Sequence, residues 1–130
     1  MASTAAPACK ANISPVGRRK RLRFGQMWAV ATLALLVLLA VMRVPWYGGL
    51  ALFIPASLAA VGILQATRNT CIMRANEGTF ENDDLSTVKA ADDEVAASRA
   101  VAAGIRRDVL LTGIAGAAIG VVLAVVVRRL

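Results

Sequence analysis

The residues with the clearest chemical potential are Cys71 and the two arginines near it, in the segment QATRNTCIMRANEG at positions 65–78. If a helix continues through this segment, Arg68 and Arg74 lie three residues before and after Cys71, on the same helix face. Two nearby guanidinium groups would favour the thiolate, which is the nucleophilic form of cysteine. The pattern therefore predicts a reactive or redox-sensing thiol as one function.

Other features favour a simpler interpretation of the same segment. The chain has no histidine that could act as a base, and its other cysteine, Cys9, lies in a tail rich in alanine, serine, threonine and proline. The segment also follows a long apolar run, and arginines at such an exit extend toward lipid headgroups. We interpret it as the exit of a helix from a membrane, with palmitoylation of the Cys71 thiol as a further alternative.

Motifs for binding a cofactor, a metal or a phosphate are not found in the sequence. Seven acidic residues fall between positions 77 and 94, but they lack the alternating carboxylates and central glycine of a calcium loop. The sequence contains no glycine-rich phosphate loop and no cluster of residues with metal-ligand spacing. We therefore expect no enzymatic activity, no cofactor and no bound metal.

Three long apolar runs must form the elements that position Cys71 and the arginines near it. Residues 24–42, 46–66 and 109–127 are stretches of 19, 21 and 19 residues without a charge, in a chain that is 58% hydrophobic. As α-helices they would be about 28–32 Å long, close to the hydrocarbon thickness of a bilayer. Inside lipid every backbone polar group must be satisfied within its segment, which favours helices. The sequence predicts an all-α integral membrane protein with three transmembrane helices.

The first two spans form a predicted hairpin over residues 24–66. Only residues 43–45 separate the two apolar runs, and so short a connection requires antiparallel helices. Pro55 lies inside the second span and leaves the carbonyl of Ala51 without a helical partner, which predicts a kink at this point.

The polar segments divide into a tail and a loop. Residues 1–23 are basic and lack apolar periodicity, so we expect a disordered tail. Residues 67–107 are expected to form a polar loop and then a helix, because apolar or small residues recur at steps of three and four from Val88 to Val109. This helix is expected to lead into the third span, within residues 108–130.

The basic residues are distributed unevenly. Twelve of the fifteen lysines and arginines precede the first span or lie between the second and third. The positive-inside rule then predicts a cytoplasmic N-terminus and loop, and an external C-terminus. The expected location is a bacterial inner membrane, with an organellar membrane as the alternative. Contact with lipid is favoured over nucleic acid because no aromatic residues interleave with the charges. The expected membrane-interface residues are Arg18, Arg19, Lys20, Arg21, Arg23, Trp46 and Tyr47.

The third span carries a face of small residues. Glycines four positions apart allow two helix backbones to approach closely in lipid. The pattern predicts helix–helix contact, either with the protein's own hairpin or in a homodimer. The expected packing residues are Gly113, Gly116, Ala117, Gly120 and Ala124.

These features together predict a non-enzymatic accessory or scaffold subunit of a membrane complex. Its expected partners are the lipid bilayer and either another membrane protein or a second copy of the chain. The alternatives are a small oligomeric transporter subunit, which would use the Pro55 kink, and a membrane-anchored thiol sensor at Cys71.

Overall fold

The computed structural model describes residues 12–130 and is mostly helical. Within these residues, three helices are long and apolar enough to span a membrane: Pro15–Val41, Trp46–Thr67 and Asp92–Arg129. The elements in chain order are helix α1 (Pro15–Val41), a 3₁₀ segment (Trp46–Leu52), α2 (Phe53–Thr67), α3 (Ile72–Glu77), strands β1 (Thr79–Glu81) and β2 (Thr87–Lys89), and α4 (Asp92–Arg129).

Helix α1 begins well before its apolar run. Ser14 caps the helix by accepting a hydrogen bond from the Gly17 backbone N–H at 3.0 Å, and Pro15 occupies the first turn. Proline suits this position because its missing N–H would have had no helical partner. The prediction of a disordered tail over residues 1–23 is therefore wrong from residue 12 onward, and its remainder lies outside the described residues.

The second span changes helix type along its length. It starts as the 3₁₀ segment Trp46–Leu52 and becomes α-helical at Phe53. Pro55 thus lies in the first turn of α2, where its missing N–H is tolerated. The irregularity expected at Pro55 is instead this transition between helix types, which precedes the proline.

Helix α2 lies between the other two spans. It crosses α1 where Gly25 and Gly62 meet, since a side chain at Gly62 would contact the Gly25 backbone nitrogen at 2.5 Å. On its other side α2 packs against α4. Helix α4 is continuous over 38 residues, or about 57 Å at the usual rise, so it extends well beyond the thickness of a bilayer.

A small polar subdomain, formed by α3, β1 and β2, completes the fold. Its two strands depart from the all-α prediction. The predicted polar turn region contains the antiparallel pair β1–β2, in which Phe80 is opposite Val88. Val88 therefore belongs to a strand and not to the predicted helical stripe. Further along that stripe, Ser98, Ala102 and Ile105 are buried on α4, where this helix packs against α3.

Candidate functional site

A buried polar cluster joins α1, α2 and the β-hairpin. Arg21 on α1 donates from Nη1 and Nη2 to the two carboxylate oxygens of Glu81, at 3.4 and 3.3 Å. Its Nε donates to Oε1 of Gln65 on α2 at 3.2 Å. The Glu81 side chain is only 5% exposed and that of Arg21 20% exposed. Because each charge is largely removed from water, each depends on the other to be stable in this position.

The carboxylate of Glu81 lies directly beside the first turns of α1. A Cβ atom at Gly17 would overlap it, so the close approach requires glycine at this position. Helix α1 has no acidic residue in its own first turn. Glu81 supplies a negative charge near the positive end of the helix dipole, which is favourable there.

Cys71 lies in the same cluster, at the junction between α2 and α3. The residue is buried, with 4% exposure, and its side chain lies near the Arg21 guanidinium group. Its backbone is held by Asn12, whose Oδ1 accepts from the Cys71 N–H at 2.6 Å and whose Nδ2 donates to the Cys71 carbonyl at 3.0 Å. The structure thus encloses the thiol instead of exposing it.

The expected arrangement of Cys71 between two arginines on one helix face is wrong. Helix α2 ends at Thr67, and Asn69 adopts a left-handed conformation (φ 51°) that turns the chain before Cys71. Arg68 pairs with Asp108 on α4. Arg74 pairs with Glu77 at 3.1 Å. The arginine beside the thiol is Arg21, which is distant in sequence, so the arrangement of two neighbouring arginines from which the thiol sensor was predicted is not the one in the structure.

The predicted membrane-interface residues do not form one group. Arg18, Arg19, Lys20 and Arg23 are exposed on α1, whereas Arg21 points into the polar cluster. Trp46 and Tyr47 lie at the far end of the hairpin and are 54% and 60% exposed, with their rings in an edge-to-face contact. Exposed aromatic rings with a polar edge suit a membrane–water boundary.

The small-residue face of α4 lies against the protein's own hairpin. A side chain at Gly120 would meet the Gly49 carbonyl oxygen at 2.5 Å, and one at Gly116 would meet the Ala56 side chain at 2.8 Å. Gly113 faces Ser57, Ala124 is buried, and Ala117 is partly buried. Of the two arrangements left open by the sequence, the structure adopts the intramolecular one, and this face is not available to a second copy.

A second close helix crossing, between Gly25 and Gly62, was missed in the sequence. A Cβ atom at Gly25 would lie 2.6 Å from the Ile63 backbone nitrogen. Gly25 is the single glycine of the run 24–42, and Gly62 lies well apart from Gly48 and Gly49 in the run 46–66, so neither has the four-residue repeat that marks the third span. Single glycines inside helical runs destabilise the isolated helix, and this was the available signal that they have a packing role.

An apolar groove remains open between α1 and α4, with α2 as its floor. Its volume is about 460 Å³. The floor on α2 combines three alanines with Ile63 and Leu64, and Leu33 of α1 and Thr112 of α4 lie at its sides. The lining residues are Ala29, Thr32, Leu33, Ala56, Ala59, Ala60, Ile63, Leu64 and Thr112.

No protein-family model, curated protein or solved structure matches this chain. Within residues 12–130, no group of three or more potential metal ligands occurs. The polar cluster acts as a structural connection, whereas the apolar groove is a surface that another molecule could occupy.

Proposed function

We propose that this protein is a non-enzymatic accessory or scaffold subunit of a membrane complex, and that it binds a transmembrane helix of another membrane protein in the groove between α1 and α4. The observation that carries the proposal is the groove floor, where Ala56, Ala59, Ala60 and Ile63 repeat at helical spacing.

The composition of this floor matches the requirements of helix association in lipid. Lipid chains are as apolar as leucine, so burial of apolar surface alone does not drive helices together. Close backbone approach through small residues does. Ala56, Ala59 and Ala60 are 7–8% exposed at the base of the groove. Their small side chains leave space between Leu33 and Thr112, which flank the position that an incoming helix would occupy.

The packing of the small-residue face of α4 against the protein's own hairpin also supports a partner site in the groove. Because Gly113, Gly116 and Gly120 already pack against the hairpin, the helices hold a fixed arrangement without a partner. A fixed groove needs little reorganisation before binding, which reduces the free-energy cost of association.

The proposed setting is a bacterial inner membrane with the polar subdomain in the cytoplasm. Twelve of the fifteen basic residues precede the first span or lie between the second and third. The positive-inside rule supports the orientation in which those segments are cytoplasmic and the C-terminus is external.

Site-specific photocrosslinking in native membranes tests the proposed interface. A benzophenone amino acid at position 33 lies on the groove wall, and the same group at position 30 provides a matched control. Leu33 and Val30 are 63% and 66% exposed on the same helix, but only Leu33 lines the groove. We expect position 33 to crosslink to a different protein, and the additional substitution Ala60→Leu to abolish the product.

Three results would contradict the proposal. Equal crosslinking from positions 30 and 33 would mean that contact does not depend on the groove. A product with the mass of two identical chains would assign the groove to a second copy. Reaction with lipid alone would leave the groove as a part of the lipid-facing surface.

A further inference from the structure

A second cavity lies at the polar end of α1, between that helix and the β-hairpin. Its volume is about 450 Å³. Unlike the apolar groove, it is lined by charged and apolar residues together: Gly17, Lys20, Arg21, Phe24, Arg74, Glu81 and Leu85. The two cavities share no lining residue.

The charges in this cavity do not balance. The lining residues Lys20, Arg21 and Arg74 contribute three positive charges, and Glu81 contributes one negative charge. Glu77, which does not line the cavity, pairs with Arg74, so one positive charge remains without a partner among these residues. Arg21 is committed to Glu81 through both terminal nitrogens. Within residues 12–130, the exposed Lys20 ammonium makes no ion pair.

Arg74 also retains unused hydrogen-bonding capacity. Its Nη1 donates to Glu77 at 3.1 Å, while its buried Nε donates to no acceptor in the described part of the chain and lies 3.9 Å from Glu81 Oε2. A guanidinium group carries five N–H donors, and its planar geometry suits phosphate oxygens. Lys20 and Arg74 line the same cavity, so an anion bound there would lie between donors of both side chains.

The position of the cavity along α1 indicates that the anion would be a lipid headgroup. Phe24 is the first residue of the uncharged run 24–42, and Lys20 precedes it by one helical turn. The cavity thus spans the boundary between charged and apolar surface, where a bilayer has its phosphate groups. Phe24 and Leu85 offer apolar contact beside the cationic groups.

We propose that this cavity binds the phosphate of an anionic phospholipid, with Lys20 and Arg74 as its ligands. Arg21 is a positioning residue, because it neutralises Glu81 and so removes the negative charge that would repel a phosphate. The site would anchor the polar subdomain to the membrane surface, independently of any helix bound in the groove.

Lipid binding to the purified full-length chain in a non-ionic detergent tests the proposal. Native mass spectrometry would count bound phosphatidylglycerol, with phosphatidylcholine and inorganic phosphate as separate comparisons. We expect one phosphatidylglycerol bound saturably, and a loss of affinity of about tenfold in both Lys20→Gln and Arg74→Gln, because each removes a hydrogen bond between charged groups. Circular dichroism of each variant without lipid would establish that it remains folded.

Arg19→Gln is the matched control. Arg19 adjoins Lys20 and is exposed, but does not line the cavity, so its replacement should reduce affinity by less than about twofold, as for an exposed charge. An equal loss in this variant would overturn the proposal in favour of general attraction to the basic segment. Equally tight binding of phosphatidylcholine, or of inorganic phosphate, would exclude an anionic-lipid site.

Discussion

The side chain of Asn12 pairs with the backbone of Cys71 through two hydrogen bonds, of 2.6 and 3.0 Å. The backbone of Asn12 also accepts from the Glu81 N–H at 2.8 Å and donates to the Asn69 carbonyl at 3.1 Å. Asn12, which precedes α1 in the chain, thereby connects the α2–α3 junction with strand β1. The polar subdomain is held against α1 by these bonds and by the Arg21–Glu81 pair.

Replacing Asn12 with alanine should expose the Cys71 thiol. The variant loses both side-chain hydrogen bonds, each worth about 0.5–1.5 kcal/mol, so local opening should become more frequent by roughly tenfold. The measurement is the rate of maleimide labelling in a Cys9→Ser background. Asn12→Asp should behave similarly, because a carboxylate cannot donate to the Cys71 carbonyl.

The control for this experiment is Asn82→Ala. Within residues 12–130, the Asn82 side chain bonds only to the exposed Ser86, so its replacement should leave the labelling rate nearly unchanged. Equal labelling of the wild type and Asn12→Ala would show that the Asn12 clamp does not protect the thiol.

Replacing either member of the Arg21–Glu81 pair should be strongly destabilising. Glu81→Gln leaves the Arg21 charge largely buried without its partner, and breaking such pairs costs about 3–5 kcal/mol. The double variant Arg21→Met with Glu81→Met should lose much less than the sum of the two single Met variants, because no unpaired charge remains. Hydrogen exchange of the β1 amides would measure these differences, with Arg18→Gln as the exposed control. Additive effects would show that the two side chains do not interact.

Replacing each of two glycines of α4 with alanine should change the stability of the fold in opposite directions. A methyl group at Gly120 would meet the Gly49 carbonyl oxygen at 2.5 Å, so Gly120→Ala should destabilise the fold by about 1–3 kcal/mol. At Gly104 the nearest atom would be 3.7 Å away, so Gly104→Ala should stabilise the helix by about 0.5–1 kcal/mol. Unfolding in mixed detergent micelles measures both values. Similar effects at the two positions would contradict the described packing of α4.

The turn of the β-hairpin should depend on pH through Asp84. Hydrogen bonds from the Ser86 hydroxyl and backbone N–H lower the pKa of Asp84 below its ordinary value of 3.8. A lowered folded-state pKa means that the contribution to turn stability is present above pH 3.8 and is lost as the pH falls through the folded-state value. An NMR titration of the Ser86 amide would follow this loss. In Ser86→Ala the midpoint for Asp84 should move back toward 3.8, and an unchanged midpoint would show that the hydroxyl has no part in the shift.

The helical character of the spans could be predicted from sequence alone. Apolar runs long enough to cross a bilayer are a local property, and in the structure each coincides with a long apolar helix. Helices α1 and α4 begin well before their apolar runs, at Pro15 and Asp92. The continuous helix through the third span followed from local periodicity in the same way. Helix ends were harder to predict, because Ser14 and Asn12 act through bonds that a polar tail composition does not reveal.

Tertiary structure alone decided which residues meet. Arg21 and Glu81 are 60 positions apart, and Asn12 and Cys71 are 59 apart. The small residues of α4 determined that a helix would pack closely there, but only the folded hairpin placed Gly49 against Gly120. The physical reason is that periodicity reports the environment of one face, whereas a buried charge pair depends on where two distant segments come together. The same holds for Cys71, whose neighbouring arginines in sequence are bonded elsewhere while Arg21 lies beside its thiol.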